Sequence, residues 1–469
     1  MKSIKLLATI ILPLIVLFIP NQHFPLDGIT VVEQRVVAIF LFAALSWILE
    51  PIPIYATSLA IILFECILIS NKAISFVKTG SANYGQEMNY ADILHTFASP
   101  IIILFLGGFF LALAATKYRL DQNLARVLLA PFGHKPKYVM MGIMVITAVF
   151  SMFMSNTATT AMMLSILTPV LALMQMNDKG KIGLLLSVPV AANIGGIGTP
   201  IGTPPNAVAL KYLTGDNYIG FGEWMTFAVP FVLVLMSISW LILIKLYPSQ
   251  TESIKLEVKG KFLKNKKAYT VYATFIITIL LWLTDFIHGM NSYVVALIPV
   301  TVFSITGIVG KKDLQRLSWD VLWLVSGGIA LGLALDQTGL ANRLVSSIDF
   351  QNLSPLAIIA GAALLAAIMA NFMSNTATAN LLLPLMAVVG TSVSSLVDLG
   401  GLQMIVLITT LACSMGMALP ISTPPNALAF GSGLINTQQM AKPGVIIASI
   451  GIMLSFGLIA ILQTLGFFS

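Results

Sequence analysis

The sequence predicts an all-α, polytopic membrane protein: about eleven transmembrane helices and two re-entrant hairpins, arranged as two inverted-topology repeats. Three observations predict this class. Hydrophobic residues make up 58% of the chain and charged residues 9%, against roughly 25% charged in ordinary soluble domains, and the mean hydropathy is +0.94. Apolar runs such as ILPLIVLFIP and FVLVLMSISW are continuous. Strands of a transmembrane β-barrel would alternate instead, so that architecture is excluded. Finally, three motifs recur in one order. MSNTAT spans Met154–Thr159 and Met373–Thr378, 219 residues apart. GTPPNA at Gly202–Ala207 returns as STPPNA at Ser422–Ala427, and FLGGFFLALA from Phe105 returns as VSGGIALGLA from Val325, both 220 residues apart. Near-constant spacing marks a duplicated unit.

The spans fall at about 5–20, 31–48, 54–70, 99–116, 181–197, 226–246, 268–287, 291–309, 319–335, 401–417 and 444–466, each close to the ~20 apolar residues a crossing needs. The first apolar run ends in Ile19-Pro20-Asn21 with no small-x-small cleavage site. It is therefore expected to remain as a transmembrane helix within residues 1–30 rather than to leave as a signal peptide. The first repeat is expected over 31–247, a basic cytoplasmic linker over 248–267, and the second repeat over 268–469.

The charges orient the chain. With the N-terminus in the cytoplasm, only Arg35, Lys72, Lys78, Lys211 and Arg343 face outward, and the other 20 of the 25 basic residues lie inside. That is the positive-inside pattern. It puts the C-terminus outside. The net charge of +7 is thus a matter of membrane orientation and anionic lipid at the linker, not of nucleic acid. Five spans separate equivalent points of the two units, so the second enters the membrane from the opposite side. Cys66 and Cys413 lie far apart in apolar segments and imply neither a disulfide nor a metal site.

The stretch 137–176 holds two apolar arms of about 16 residues around Ser155-Asn156-Thr157. Each arm is ~24 Å long, short of the ~30 Å core. Two short arms meeting at a polar tip read as a re-entrant hairpin, and 354–389, with Ser374-Asn375-Thr376 at its tip, is its counterpart. The helix beginning near Lys181 is broken within 181–213 by Gly195-Gly196-Ile197-Gly198-Thr199-Pro200 and Thr203-Pro204-Pro205-Asn206. Its counterpart is broken within 401–434 by Leu419-Pro420 and Thr423-Pro424-Pro425-Asn426. Proline lacks the amide donor and glycine costs helix stability, so no helix runs through either break. Freed carbonyls and hydroxyls are hard oxygen ligands suited to Na⁺. Half-helix N-termini and the Asn156 and Asn375 amides suit an anion. No Arg, Lys or His occurs over 138–176, 182–210, 354–389 or 402–439. An anion bound there would draw its counter-charge from helix termini and co-bound cations.

These twin SNT and TPPN motifs, with Trp47-Ile48-Leu49-Glu50-Pro51-Ile52-Pro53 before them and Phe430-Gly431-Ser432-Gly433 after, resemble the divalent anion/sodium symporter family over nearly the whole chain. The family includes Na⁺-coupled dicarboxylate, citrate and sulfate carriers. The resemblance implies a homodimer, a scaffold domain, and a transport domain that moves like an elevator. It implies one Na⁺ site at Ser151, Ser155, Asn156 and Gly202, and another at Ala370, Asn375 and Ser422. Substrate carboxylates would meet Ser155, Asn156, Thr157, Ser374, Asn375 and Thr376, with Thr423 and Pro424. Ala370 stands where the first site has Ser151, so the second site lacks one hydroxyl. Glu50-Pro51 follows Leu49, where a threonine often stands in the family.

The expected function is Na⁺-coupled uptake of a small dicarboxylate of the succinate, malate or fumarate type across the cytoplasmic membrane, with no enzymatic step and no organic cofactor. The alternatives are Na⁺-independent exchange, or a citrate or sulfate carrier of the same fold. A channel would want a continuous pore, and an ATP-driven pump a G-x-x-x-x-G-K-[ST] loop, which the chain lacks. Asp336 is expected to cap its helix or pair with Arg343, and Asp285 and His288 to sit at an outer interface. Glu65 is an intramembrane acid without an evident partner in sequence.

Overall fold

The computed structural model describes residues 2–75, 78, 83–175, 177–254, 261–348, 350 and 353–468. The middle of the expected linker, 255–260, and the expected hairpin end, Met176, lie outside the described residues. Among the described residues the chain is helical throughout, with one isolated bridge between Ser70 and Met88.

The first half contains α1 (Lys2–Phe18), α2 (Val31–Leu49), α3 (Ile54–Leu68) and α4 (Pro100–Lys117). Thr30 and Glu33 cap α2 reciprocally, at 2.7 and 3.2 Å. The helix ends at Glu50, whose left-handed φ of 48° turns the chain into the Pro51-Ile52-Pro53 corner. Next come α5 (Pro136–Phe153) and α6 (Asn156–Leu173), then α7 (Gly180–Gly196) and the short α8 (Pro204–Leu210), then α9 (Phe221–Leu246). The second half repeats the order: α10 (Lys266–Leu283), α11 (Ser292–Ile305), α12 (Trp319–Gln337), α13 (Pro355–Phe372), α14 (Asn375–Ser392), α15 (Gly401–Cys413), α16 (Pro424–Gly431) and α17 (Thr437–Thr464). Nine helices are at least 18 residues long and apolar enough to cross a membrane among the described residues. The hairpin arms reach 18 residues each, slightly longer than the expected 16.

Pairing of elements follows the duplication. α4 of the first half packs on α11 of the second, and α12 of the second packs on α3 of the first. The Gly-Gly pair of each repeated motif explains the close approach. A methyl group on Gly107 would strike Ala296, and one on Gly327 would strike Ser58, so only glycine lets these backbones meet. The hairpin α5–α6 packs on α7, and α13–α14 on α15. The short helices cross over: α8 packs against α14 and α15 of the second half, and α16 against α6 and α7 of the first. Neither half is complete alone.

The two halves are not placed alike. The second hairpin's inner arm, α14, packs against α12 and α2 and is almost wholly buried. Its counterpart α6 leaves Thr157, Ala161 and Leu173 exposed. Ile201, in the first break, is 8% exposed, whereas its counterpart Ile421 is 67% exposed.

Two polar ties fix the periphery. Arg343 forms an ion pair with Glu33 of α2 at 2.9 Å, so of the two roles expected for Asp336, capping its helix or pairing with Arg343, the second is taken by Glu33. Gly339, at φ +82°, turns the chain after α12 so that the following short helix presents Arg343 to α2. Asp178, between α6 and α7, accepts hydrogen bonds from Gly180 N, Ser249 Oγ, Gln250 N, and both N and Oγ1 of Thr251. The start of the linker is thereby clasped to the foot of the first hairpin. Burial alone would push the Asp178 carboxyl up, but these hydrogen bonds outweigh it and hold the carboxyl below its ordinary range.

Candidate functional site

Each hairpin turns over two residues, Met154-Ser155 and Met373-Ser374. Ser155 and Ser374 sit at the N-caps of α6 and α14, accepting from Ala158 N at 3.2 Å and Ala377 N at 3.1 Å. This is why SNT occurs at both tips: the serine satisfies the amides of a helix that must start inside protein. The asparagine after it is then the first residue of the inner arm.

At the first tip, Ser151 Oγ donates to Asn156 Oδ1 and lies 2.7 Å from the Ala192 carbonyl. The Asn156 amide lies against Gly196 and Gly202. A methyl group on Gly196 would meet both amide atoms and the Gly202 carbonyl at 2.9 Å. Thr199 Oγ1 donates to the Met152 carbonyl, joining the break to the outer arm. Ser151, Asn156 and Gly202 are thus brought together, and Ser155 lies next to Asn156 in the chain.

The second tip is built the same way. A methyl group on Gly416 would strike the Ala370 carbonyl and the Asn375 amide. Only with its nitrogen turned toward the break does Asn375 make hydrogen bonds, to Gly416 O at 3.3 Å and Cys413 O at 3.2 Å. Ser422 Oγ donates to Asn371 O at 3.1 Å and accepts from Leu419 N at 3.2 Å. Asn371 Oδ1 accepts from Ala418 N at 2.9 Å. Ala370, Asn375 and Ser422 therefore gather around one break.

The asparagine of TPPN has a role that the sequence reading did not assign. Asn206 Nδ2 donates to Ile197 O and Thr199 O at 3.1 and 2.8 Å. Asn426 Nδ2 donates to Met417 O and Leu419 O at 2.8 and 3.0 Å. These carbonyls are equivalent under the 220-residue repeat. Each asparagine reaches back across its own break and holds the unwound turn, while the two prolines before it start the next helix without needing donors. The recurrence of Asn at the motif's end was the available signal. Asn193, in α7, was also missed. It donates to Thr423 Oγ1 and Asn426 Oδ1, each at 3.2 Å, and so bonds one break to the other.

The remaining expected residues divide by exposure. Thr157 and Pro424 are exposed, Ser374 is half-buried, and Thr376 and Thr423 are buried. A cavity of about 1200 Å³, lined by Gly339, Asn342, Arg343 and Phe350 on one side and Ser392–Ser395 on the other, touches none of the residues expected to bind substrate or Na⁺.

Chemically, each break gathers carbonyls at the C-terminal ends of an outer hairpin arm and a broken helix, α5 with α7 and α13 with α15. Those are the negative ends of helix dipoles. The N-termini of α6 and α14 begin at the same tips, with amides and the positive dipole end. None of the four segments 138–176, 182–210, 354–389 and 402–439 carries Asp or Glu, just as none carries a base. Among the described residues no group of three or more His, Cys, Asp or Glu could hold a metal. The arrangement suits a weakly held monovalent cation on neutral oxygens beside a small anion.

Paired hairpins and paired broken helices in a duplicated, apolar helical chain define a polytopic transporter-type membrane protein. The sequence profile described as "Sodium:sulfate symporter transmembrane region" matches residues 1–466. The chain belongs to this sodium:sulfate symporter family, the divalent anion/sodium symporters. It is 32% identical, over 94% of its length and 86% of the relative's, to proteins named sodium-dependent dicarboxylate transporter SdcS from Staphylococcus aureus strains USA300 and bovine RF122. Among solved structures it resembles the Alcanivorax borkumensis YdaH transporter, with TM-score 0.56, 11% identity, and 92% and 98% of the two chains covered. It also resembles Neisseria gonorrhoeae MtrF, with TM-score 0.50, 11% identity, and 96% and 97% covered. At that identity the two structures speak to the fold alone.

Proposed function

We propose that the protein is a secondary transporter that carries a small dicarboxylate with Na⁺ through the cytoplasmic membrane. One observation carries most of the weight: two repeat-related clusters of oxygen atoms, around Asn156 and Asn375, in segments free of every charged side chain. A dianion in such a place needs compensation, since an uncompensated buried charge costs several kcal/mol. Helix termini supply about half a charge each. Co-bound Na⁺ supplies the rest. The kinship with proteins named sodium-dependent dicarboxylate transporters supports the same substrate and ion.

In this reading Ser151, Ser155, Asn156 and Gly202 hold one Na⁺, and Ala370, Asn375 and Ser422 the other. The two SNT tips, Thr423 and Pro424 meet the carboxylates. The domain plan is a transport unit made of the hairpins and broken helices, with α9 and α17. It moves against a scaffold of the remaining helices, 1–30, 31–247 and 268–469 being the N-terminal segment and the two inverted repeats around the linker 248–267. Two copies pair through the scaffold within membrane lipid. The N-terminus lies in the cytoplasm and the C-terminus outside. With the first hairpin rooted on the cytoplasmic side, exposure of α6 and Ile421 and burial of α14 and Ile201 support the reading of a cytoplasm-facing arrangement. Succinate uptake into proteoliposomes, with Na⁺ or choline outside at fixed pH, tests the proposal. Uptake that depends on Na⁺ is expected. Equal uptake in both would replace symport with exchange.

A further inference from the structure

The hydrogen bonds that join the two breaks have a defined direction. The Asn426 amide nitrogen is committed to two carbonyls of its own break, Met417 O at 2.8 Å and Leu419 O at 3.0 Å. Its Oδ1 therefore faces α7, and an oxygen there demands a donor. The buried Asn193 amide meets it with Nδ2 rather than Oδ1. That nitrogen carries two hydrogens. One goes to Asn426 Oδ1 and the other to Thr423 Oγ1, each at 3.2 Å.

The consequence falls on Thr423. A hydroxyl oxygen has two acceptor positions and one proton. Asn193 Nδ2 takes one acceptor position, and Asn426 N, at 3.3 Å, takes the other. Only the proton is left, and among the described residues Thr423 donates it to no protein atom. Thr423 is 6% exposed, between buried Ser422 and exposed Pro424. Its hydroxyl is thus nearly enclosed without being sealed. A hydroxyl that can only donate suits a group that can only accept, which is what a carboxylate is.

The duplication holds an internal comparison. Cys413 stands at the position equivalent to Asn193, 220 residues away, and a thiol is a weak donor. In the first break Asn206 Oδ1 is buried without a hydrogen-bond partner, and the Thr203 side chain accepts no capping bond from α8. Asn206 still holds its own unwound turn, as Asn426 does. The same TPPN motif therefore lacks the directing donor in the first half and has it in the second.

We propose that Asn193 is a positioning residue for substrate: from the first half, it fixes the Thr423 hydroxyl of the second half as a donor toward one carboxylate of the dicarboxylate. The inference rests on the functional reading above, in which Thr423 meets a carboxylate. It makes the grip on substrate unequal at the two breaks, with one directed hydroxyl at Thr423 and an undirected one at Thr203.

Initial rates of succinate uptake, over a grid of succinate and Na⁺ concentrations, test this with full-length protein in proteoliposomes. The variants are N193L, N193C, T423V and N193L/T423V. N193L keeps the approximate volume and removes both donors, and N193C copies the residue found at 413. T423V, N193L and N193C should each raise the KM for succinate roughly five- to tenfold, the scale of one hydrogen bond to a charged group. The double variant should lose no more than T423V alone, because nothing is left to direct once the hydroxyl is gone. The Na⁺ concentration for half-maximal uptake at saturating succinate should stay where it is. That readout separates positioning from distortion, since the neighbouring Ala192 carbonyl lies 2.7 Å from Ser151 Oγ at the first Na⁺ site. Losses that multiply in the double variant, an unchanged KM in N193C, or a KM that moves together with the Na⁺ dependence would each overturn the positioning role. If the parent protein shows no saturable succinate uptake at any Na⁺ concentration, the functional reading fails and this inference with it.

Discussion

The asparagines at the two hairpin tips join each tip to the break of its own half. Asn156 touches Ser151 and the Gly196–Gly202 turn, and Asn375 touches Gly416 and Cys413. Asn156→Ala or Asn375→Ala should abolish succinate uptake while the protein still purifies as a folded species. Each hydrogen bond to a charged group is worth about 1.5–3 kcal/mol; wild-type uptake by both variants would refute the assignment. The Na⁺ dependence carries a second expectation. Ser151 has a hydroxyl where Ala370 has none, so Ser151→Ala should weaken the first site toward the second and raise the Na⁺ concentration for half-maximal uptake. Ala370→Ser should lower it. Uptake titrated with Na⁺ for the two variants measures this, and identical curves would count against both sites. At this scale SNT and TPPN could be read from sequence because they recur. Asn193 and Asn371 could not. Their counterparts are Cys413 and Met152, so repetition gave no signal, and their partners lie on other elements.

Among elements, the spans were readable to within a few residues, because long apolar runs and prolines punctuate the chain. Packing across the two halves was not readable: no periodicity records that α8 meets α14 or that α16 meets α6. The linker was legible as basic, but its anchor was not. The clasp made by Asp178 depends on backbone amides of Gln250 and Thr251, which leave no mark in composition. Its carboxyl lies below the ordinary range in the folded protein. Its contribution is therefore complete at neutral pH and is lost as pH falls through the folded-state value. Asp178→Asn should lower thermal stability in detergent at pH 7. The difference from the parent protein should shrink as pH falls below the ordinary carboxylate range. A difference independent of pH would mean that the carboxylate charge does not sustain the clasp. Gly180 belongs to the same device, since a methyl group there would collide with Ser249.

For the molecule as a whole, the unlike placement of like halves is the feature that sequence symmetry alone conceals. Thr157 is exposed and Thr376 is buried although their motifs are identical. Cysteine at 157 should therefore react with a small membrane-impermeant thiol reagent from the cytoplasmic side in resting protein. Cysteine at 376 should react far more slowly, and from the outside. Succinate with Na⁺ should protect both. Fast, unprotected labelling at 376 would contradict the proposed arrangement. The crossed short helices bear on how such a chain comes to be made. While the ribosome has delivered only the first half, α6 and α7 lack α16, Asn193 lacks its partners on Thr423 and Asn426, and α8 lacks α14 and α15. A nascent first half must wait in the bilayer with polar groups unanswered until the second is synthesised. Biogenesis is then a single late docking of two mutually dependent partners. The linker has to be long enough to permit that docking, and the insertion machinery has to shelter the first partner until it occurs.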